Sequence, residues 1–401
     1  MERRPPRNGL MAAMALGLGL ILALALVELL PRLLPGLMPR KVQAVMRIYD
    51  ARNSWESMMR GDQELGFTLK PGLDLSFPSE GKRIAIRTKP LEGGPAEIGI
   101  RDLGTRPPYR MVAVGDSFTF GDDSDPERAW VRLLSDRLGL PAVTLGVNGY
   151  SNLAEARMLK KMAPALPDAR LVLVGFFAND FKDNLHFQNW TKSGTTDDYW
   201  TWQRRNRRSD VSESLADWSI AYRLFDAARR YGGRDAFELH DGKLDFVFSG
   251  DAWWRSVVEE PGETPGFRLA EQAFDDMKAT AAARGAKLVV LLFPFKEQVY
   301  WSAVRGYWKN DPTLGKVGEA DIDAPFLALE RSLTAKGIAT CNLTGPLRRA
   351  AAERGQLYLR AGAHWTEEGN QATAEAVADC LASLGALEGL ASMPGGASPR
   401  P

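Results

Sequence analysis

Histidine and cysteine are scarce in this chain: its 401 residues include three histidines, His186, His240 and His364, and two cysteines, Cys341 and Cys380. So few cysteines exclude a disulfide-stapled scaffold and a four-cysteine zinc site, and leave one bridge or two buried thiols as open alternatives. So few histidines mean that any chemistry needing an imidazole has little choice of residue. No cluster of His, Cys and carboxylates shows metal-ligand spacing, so neither a metal nor another cofactor is expected. Excess charge of one sign is missing too: Lys and Arg number 51 against 50 Asp and Glu. Such a balance offers no field to attract nucleic acid, and none is expected as a partner. Internal repeats are also absent.

What is present is an ordinary globular composition, 45% hydrophobic and 25% charged, enough for a sizeable core. The run from Gly9 to Val27 carries no charge and follows Arg3, Arg4 and Arg7. About twenty such residues span a hydrocarbon core, so residues 1–30 read as a transmembrane anchor. A cleaved signal peptide is the rival, since Ala23-Leu24-Ala25 has the small-x-small form, but it lies inside the apolar run. The basic residues before the span favour an inside N-terminus and place the rest outside the cytoplasm, although Arg32, Arg40 and Lys41 blunt the asymmetry.

Residues 31–108 read as a stalk helix followed by a small β-rich lead-in, with short alternating pieces such as Arg83-Ile84-Ala85-Ile86-Arg87. From 109 to 390, short apolar runs alternate with helical patterning: Met111 to Val114, Ala142 to Leu145, Leu171 to Gly175, Lys287 to Phe293 and Ile338 to Cys341. That alternation implies an α/β fold whose parallel sheet carries its ligands at the carboxyl ends of the strands. It breaks between about 185 and 265. This stretch holds Trp190, Tyr199, Trp200, Trp202, Trp218, Trp253 and Trp254, the basic run Arg204-Arg205 and Arg207-Arg208, and an Asp241-Gly242 hairpin signal. It reads as an insertion that covers the site, and its tryptophans could stack on sugar rings or belong to the core. Residues 391–401 read as a disordered tail.

Gly115-Asp116-Ser117-Phe118-Thr119 follows the first apolar strand, and helical patterning resumes around Trp130. A serine that cleaves esters needs its hydroxyl at a tight turn, with a backbone N–H nearby to receive the oxyanion. Alone, the triplet equally describes a turn with a helix cap.

Three further blocks follow in order: Gly146-Val147-Asn148-Gly149-Tyr150, then Gly175 with Asn179-Asp180, then His364-Trp365-Thr366 before the last helix. With these the chain resembles the SGNH/GDSL hydrolase family, in a membrane-anchored, cell-envelope form. The resemblance implies a three-layer α/β/α, flavodoxin-like architecture. It also implies roles: Ser117 as nucleophile, Gly149 and Asn179 as oxyanion donors beside the Ser117 amide, and His364 as general base. One position departs from the family pattern. An Asp usually lies two or three residues before the histidine, where this chain has Ala361, Gly362 and Ala363. Three accounts stay open: a backbone carbonyl orients His364 in a Ser-His dyad, the favoured reading; a distant acid such as Asp183 swings in; or the site is weak or inactive.

The expected activity is hydrolysis of an acyl ester, such as an O-acetyl group, on a small molecule or an envelope glycan. Transfer of the acyl group to a polysaccharide hydroxyl uses the same residues and is the first alternative; an inactive glycan-binding protein is the second. Lys296 and Tyr300, at the end of the fourth strand, could touch a polar substrate or belong to a solvated loop.

Overall fold

The computed structural model describes residues 7–39, 42–43, 45–46, 57–207, 215, 218–231, 237–248, 264–306 and 318–390. They fall into two compact units, one of residues 1–57 with 201–234, the other of 58–200 with 235–401.

The larger unit begins with an antiparallel sheet of β1 (Met59–Asp62), β2 (Gly66–Leu69), β3 (Asp74–Ser79), β4 (Lys82–Pro90) and β5 (Gly99–Arg101), in the order β1-β2-β5-β4-β3. In β4, Ile84, Ile86 and Thr88 are buried while their neighbours are more exposed, the alternation of a sheet packed on one face. The β3–β4 hairpin turns at Glu80 and Gly81, both with positive φ.

The central sheet is built from β6 (Met111–Val114), β7 (Ala142–Thr144), β8 (Leu171–Phe176), β11 (Lys287–Leu292) and β12 (Ala339–Asn342), all paired in parallel. Between them in the chain, β9 (Phe237–His240) and β10 (Asp245–Phe248) form the hairpin that Asp241-Gly242 predicts. Strands β6, β7 and β8 are buried along their whole length, as helices on both faces require, and hence read as unbroken apolar runs. The strand order is β12-β11-β8-β6-β7. The chain therefore steps from β6 out to β7, then returns to the other side of β6 with β8. Sheet order reverses between β6 and β8, and ligands in open α/β sheets bind in the crevice at such a point. Helices Asn152–Met162, Asp180–Lys192 and Pro265–Ala282 pack together as one group, and Trp130–Leu138 with Glu367–Ser383 as another. Cys341 on β12 is bridged to Cys380 on the last helix, with Cα atoms 6.0 Å apart, which resolves the cysteine alternatives in favour of one disulfide.

In the smaller unit, a 27-residue helix runs from Arg7 to Leu33, and its part from Met11 to Leu33 is long and apolar enough to cross a membrane. Glu28 on this helix accepts hydrogen bonds from Ser219 Oγ at 2.5 Å, Ile220 N at 2.9 Å and Ala221 N at 3.0 Å. A side-chain carboxylate thus caps the first turn of helix Ile220–Tyr231, where N–H groups lack intrahelical partners.

The stretch read as one insertion is divided between the units. Up to Trp200 it stays with the sheets, where Trp190 and Tyr199 are buried against Phe187 and Trp200 packs on Phe67. Trp190 is a core residue and offers no face to a sugar. Thr201–Arg234 belongs with the N-terminal helix. Arg208, Trp253, Trp254, most of the expected stalk after Met46 and the expected tail lie outside the described residues.

Candidate active site

Ser117 opens a short helix, Ser117–Phe120, directly after β6. The approach is close: a Cβ on Gly115 would stand 2.1 Å from Thr119 Oγ1 and 2.9 Å from the Gly175 carbonyl of neighbouring β8, so only glycine lets the chain turn there. Asp116 caps the helix, its carboxylate accepting the Phe118 N–H at 2.9 Å. The cap and the tight turn leave Ser117 half-buried at the carboxyl end of β6.

His364 arrives from the far end of the chain. Its Nε2 lies 2.9 Å from Ser117 Oγ, within direct proton-transfer distance. Its Nδ1 lies 2.8 Å from Asp123 Oδ2 and 3.6 Å from Asp122 Oδ2. The group facing the outer imidazole nitrogen is therefore neither a backbone carbonyl nor Asp183 but Asp123, in the loop that follows the Ser117 helix. Asp183 is engaged elsewhere, accepting Asn179 Nδ2 at 2.8 Å. The physical reason is local. Gly121 ends the four-residue helix in the left-handed region, Asp123 itself has φ +60, and the chain doubles back so that the carboxylate faces the imidazole. Two adjacent acids shortly after the nucleophile were the available signal, and expecting the acid beside the histidine hid it.

This acid loop is held by the antiparallel sheet. Arg101 of β5 is fully buried, and its guanidinium donates to the carbonyls of Phe120 at 2.7 Å, of Gly121, of Ser124 and of Ala85. Burial draws its pKa down to about 10. Ala85 N donates to Asp125 Oδ1 at 2.8 Å, and Ser79 Oγ donates to Asp123 Oδ1 at 2.5 Å.

The loop before His364 is gripped as tightly. Lys296 is buried, and its Nζ donates to the carbonyls of Val247, Leu359, Arg360 and Gly362 at 3.0–3.4 Å, with the rings of Phe246 and Phe248 5.2 Å away. Burial pushes its pKa down to about 8. Tyr300 Oη donates to the Gly355 carbonyl at 2.7 Å and accepts the Leu357 N–H at 2.8 Å. Neither side chain is a solvated substrate contact; both brace the segment that presents the histidine. Phe118 meets the His364 and Trp365 rings edge-on at 5.2 and 4.7 Å, and Trp130 Nε1 donates to the Phe118 carbonyl at 2.9 Å.

The electrostatics of this cluster are strongly shifted. Burial alone would lower the His364 pKa, but the Asp123 hydrogen bond and the charges of Asp122, Asp123 and Asp116 carry it up to about 9. Burial raises Asp122 to about 6 and Asp116 to about 7. Burial also opposes the charge of Asp123, yet the hydrogen bond from His364, its positive charge and the Ser79 hydroxyl hold that carboxyl below its usual range. Asp122, Asp123 and His364 are close enough to share a cation, with ligand atoms within 4.8 Å of one another. Both imidazole nitrogens already face Asp123 and Ser117, a geometry through which a proton can pass from the hydroxyl to the imidazole.

Gly149 and Asn179 follow β7 and β8, the two strands that flank β6, so both sit at the same edge of the sheet as Ser117. Gly149 has φ +76, a conformation that favours glycine. Gly146 serves a different need: a Cβ there would approach Phe120 N to 2.5 Å. Neither the Ser117 nor the Gly149 amide N–H has an intrachain acceptor among the described residues. Asn148 Nδ2 donates to Asp122 Oδ2 at 2.8 Å, linking the Gly149 turn to the acid loop. His240 is exposed, 3.7 Å from Asp245 on the β9–β10 hairpin. His186 lies within helix Asp180–Lys192.

Residues 242–394 match a family described as the SGNH hydrolase-like domain of acetyltransferase AlgX. The matched segment contains His364 but not Ser117. The chain is 26% identical over 172 residues to a Pseudomonas fluorescens protein named "Probable alginate O-acetylase AlgJ", covering 43% of this chain and 38% of that protein. AlgJ of Pseudomonas syringae pv. tomato is likewise 26% identical over 174 residues, with the same coverages. These matches thus span well under half of the relatives' length. A lipolytic protein of the G-D-S-L family from Desulfitobacterium hafniense overlays with a TM-score of 0.33 at 13% identity, covering 68% of this chain and 99% of that one. Four blocks in order, a parallel sheet in 2-1-3-4-5 sequence and the matched C-terminal segment make this chain similar to proteins of the SGNH/GDSL type.

Proposed function

We propose that the chain transfers an acyl group, in the first instance O-acetyl, from an ester donor to a hydroxyl of an envelope polysaccharide by way of a Ser117 acyl-enzyme. The observation that carries this reading is the 2.9 Å separation of His364 Nε2 and Ser117 Oγ, with Asp123 on the opposite ring nitrogen. His364 takes the Ser117 proton as Oγ attacks the donor carbonyl. The oxyanion is held by the Ser117 and Gly149 amides and the Asn179 side chain. Collapse expels the donor alkoxide, which takes the proton from His364 and leaves an acyl ester on Oγ. The acceptor hydroxyl then gives its proton to His364 and attacks the acyl carbon; as the second tetrahedral species collapses, Ser117 recovers its proton and the product ester departs.

Hydrolysis differs only in that water replaces the sugar hydroxyl, and it is the second reading, supported by the partial exposure of both Ser117 and His364. Transfer is preferred to the hydrolysis expected from sequence because the matched family is described as an acetyltransferase and both curated relatives as O-acetylases. The inactive-scaffold reading drew its support from a missing acid, and Asp123 removes that support. In this reading catalysis belongs not to the continuous stretch 109–390 expected from sequence but to the larger unit, residues 58–200 with 235–401. Met11–Leu33 anchors it in the membrane with the site outside the cytoplasm, where a Cys341–Cys380 bridge is stable.

Purified full-length chain incubated with an acetyl-ester donor and an uronic-acid oligosaccharide tests the proposal. Acetylated oligosaccharide that disappears with Ser117→Ala is expected. Free acetate alone selects hydrolysis, and neither product above the Ser117→Ala background rejects both.

A further inference from the structure

The β3–β4 hairpin turn belongs to the antiparallel sheet, not to the sheet that carries Ser117, yet it touches both partners of the nucleophile. Ser79 is buried, and its Oγ donates to Asp123 Oδ1 at 2.5 Å, on the carboxylate oxygen that His364 does not use. The next residue, Glu80, places one carboxylate oxygen 2.9 Å from Arg360 N and the other 2.9 Å from Ala361 N. Those amides lie just ahead of His364, at and immediately before the places where the usual acid would stand. Two residues further, past the turn at Gly81, Lys82 Nζ reaches Glu367 Oε1 at 2.5 Å, on the helix that follows the histidine.

We infer that Ser79 and Glu80 are positioning residues of the catalytic site, and that the antiparallel sheet completes the acid–base pair which the parallel sheet alone leaves unfixed. The inference rests on the serine-base reading above. A carboxylate has two oxygens and is free to rotate about its Cβ–Cγ bond. With Oδ2 on the imidazole, the Ser79 hydroxyl on Oδ1 fixes that rotation, so the lone pair facing His364 stays in line. Arg101 from the same sheet fixes the backbone beneath it, through the carbonyls of Phe120, Gly121 and Ser124. Glu80 and Lys296 then divide the His364 loop between them. The carboxylate takes its N–H groups at Arg360 and Ala361; the ammonium takes its carbonyls at Leu359, Arg360 and Gly362. A loop bound through both kinds of backbone group cannot slide along the sheet rim, and a shift of the order of 1 Å at the imidazole is enough to cost about 100-fold in rate. The turn also explains how this chain dispenses with an acid beside its histidine. That acid would hold loop and ring together, and here Glu80 holds the loop while Asp123, steadied by Ser79, holds the ring.

The test is the rate of fluorophosphonate labelling per active site, with the labelled fraction at completion measured separately. Wild type, Ser79→Ala, Ser79→Thr, Glu80→Gln and Ser117→Ala are compared as full-length chains. Expected is labelling of about one site per chain in all but Ser117→Ala, at a rate about tenfold lower in Ser79→Ala and Glu80→Gln and near wild type in Ser79→Thr. A role confined to stability predicts a smaller labelled fraction at an unchanged rate, and that result overturns the inference. So does an equal loss in Ser79→Thr, which keeps the hydroxyl. Equal labelling of Ser117→Ala and wild type overturns the serine-base reading, and the positioning roles fall with it.

Discussion

Asp123 and His364 stand 241 residues apart in the chain, and their side chains meet at 2.8 Å. The contact gives the imidazole a fixed tautomer: with Nδ1–H donated to the carboxylate, Nε2 presents its lone pair to Ser117. Asp123→Asn removes the acceptor for that proton and favours the wrong tautomer. We expect acyl-enzyme formation to fall by about 10³ to 10⁴ with the fold intact, as measured by single-turnover acylation alongside circular dichroism. A loss below tenfold contradicts the assignment of Asp123.

The same acids set the pH dependence. His364 must be neutral to accept the Ser117 proton, and its pKa of about 9 places the neutral form on the alkaline side. Labelling should therefore rise with pH through the alkaline range, well above the 6.5 of an ordinary imidazole. Asp122 raises that pKa by its charge, so Asp122→Asn should move the rising limb to lower pH; no shift, or an upward one, argues against the cluster. The sign for stability is the reverse of that for activity. A folded-state pKa raised above the unfolded value contributes stability that is fully present below about 6.5 and lost as pH rises through about 9. Thermal melts of Asp122→Asn should accordingly lose less stability over that interval than wild type.

Gly115 tests the geometry of the turn. An alanine there puts its methyl into Thr119 Oγ1 and against the Gly175 carbonyl, contacts that no side-chain rotation relieves because one partner is backbone. Gly115→Ala should cost about 1–3 kcal/mol in urea unfolding and displace Ser117 enough to abolish labelling. A stable, fully labelled variant would falsify the close-approach account.

The Cys341–Cys380 bridge ties β12 to the last helix, at the opposite edge of the sheet order from β7. Closing a loop of 39 residues corresponds to about 4 kcal/mol on the chain-entropy account. Reduction or Cys341→Ser should lower the melting temperature by several degrees and leave the labelling rate per active site near wild type. Unchanged melting after complete reduction means the bridge is not made in solution.

Much of this architecture was legible in the sequence, for identifiable reasons. Strands β6 and β8 are buried along their whole length and β11 over its last four residues, so they read as unbroken apolar runs. The blocks at Ser117, Gly149, Asn179 and His364 lie at strand ends and helix starts, where turn chemistry makes residues stand out. What escaped depended on contacts between distant segments. Asp123 looks like any acid in a polar turn until the loop doubles back on Arg101. Lys296 looks like a surface lysine until four carbonyls surround it. Ser79 and Glu80 occupy a hairpin tip, an unremarkable place by pattern, and acquire their roles only because the antiparallel sheet brings that tip to the two loops. Trp190, grouped with a sugar-binding insertion by composition, is in the core because Phe187 and Tyr199 enclose it.

The central claim is that Ser117 becomes acylated with His364 as its base. Brief incubation with an activated acetyl ester, acid quench and peptide mass mapping tests it directly. The account predicts one acetyl group on the peptide containing Ser117 in wild type, none there in Ser117→Ala and a slow, incomplete adduct in His364→Ala. An acetyl group found only on other residues, or no adduct in wild type under turnover conditions, contradicts it.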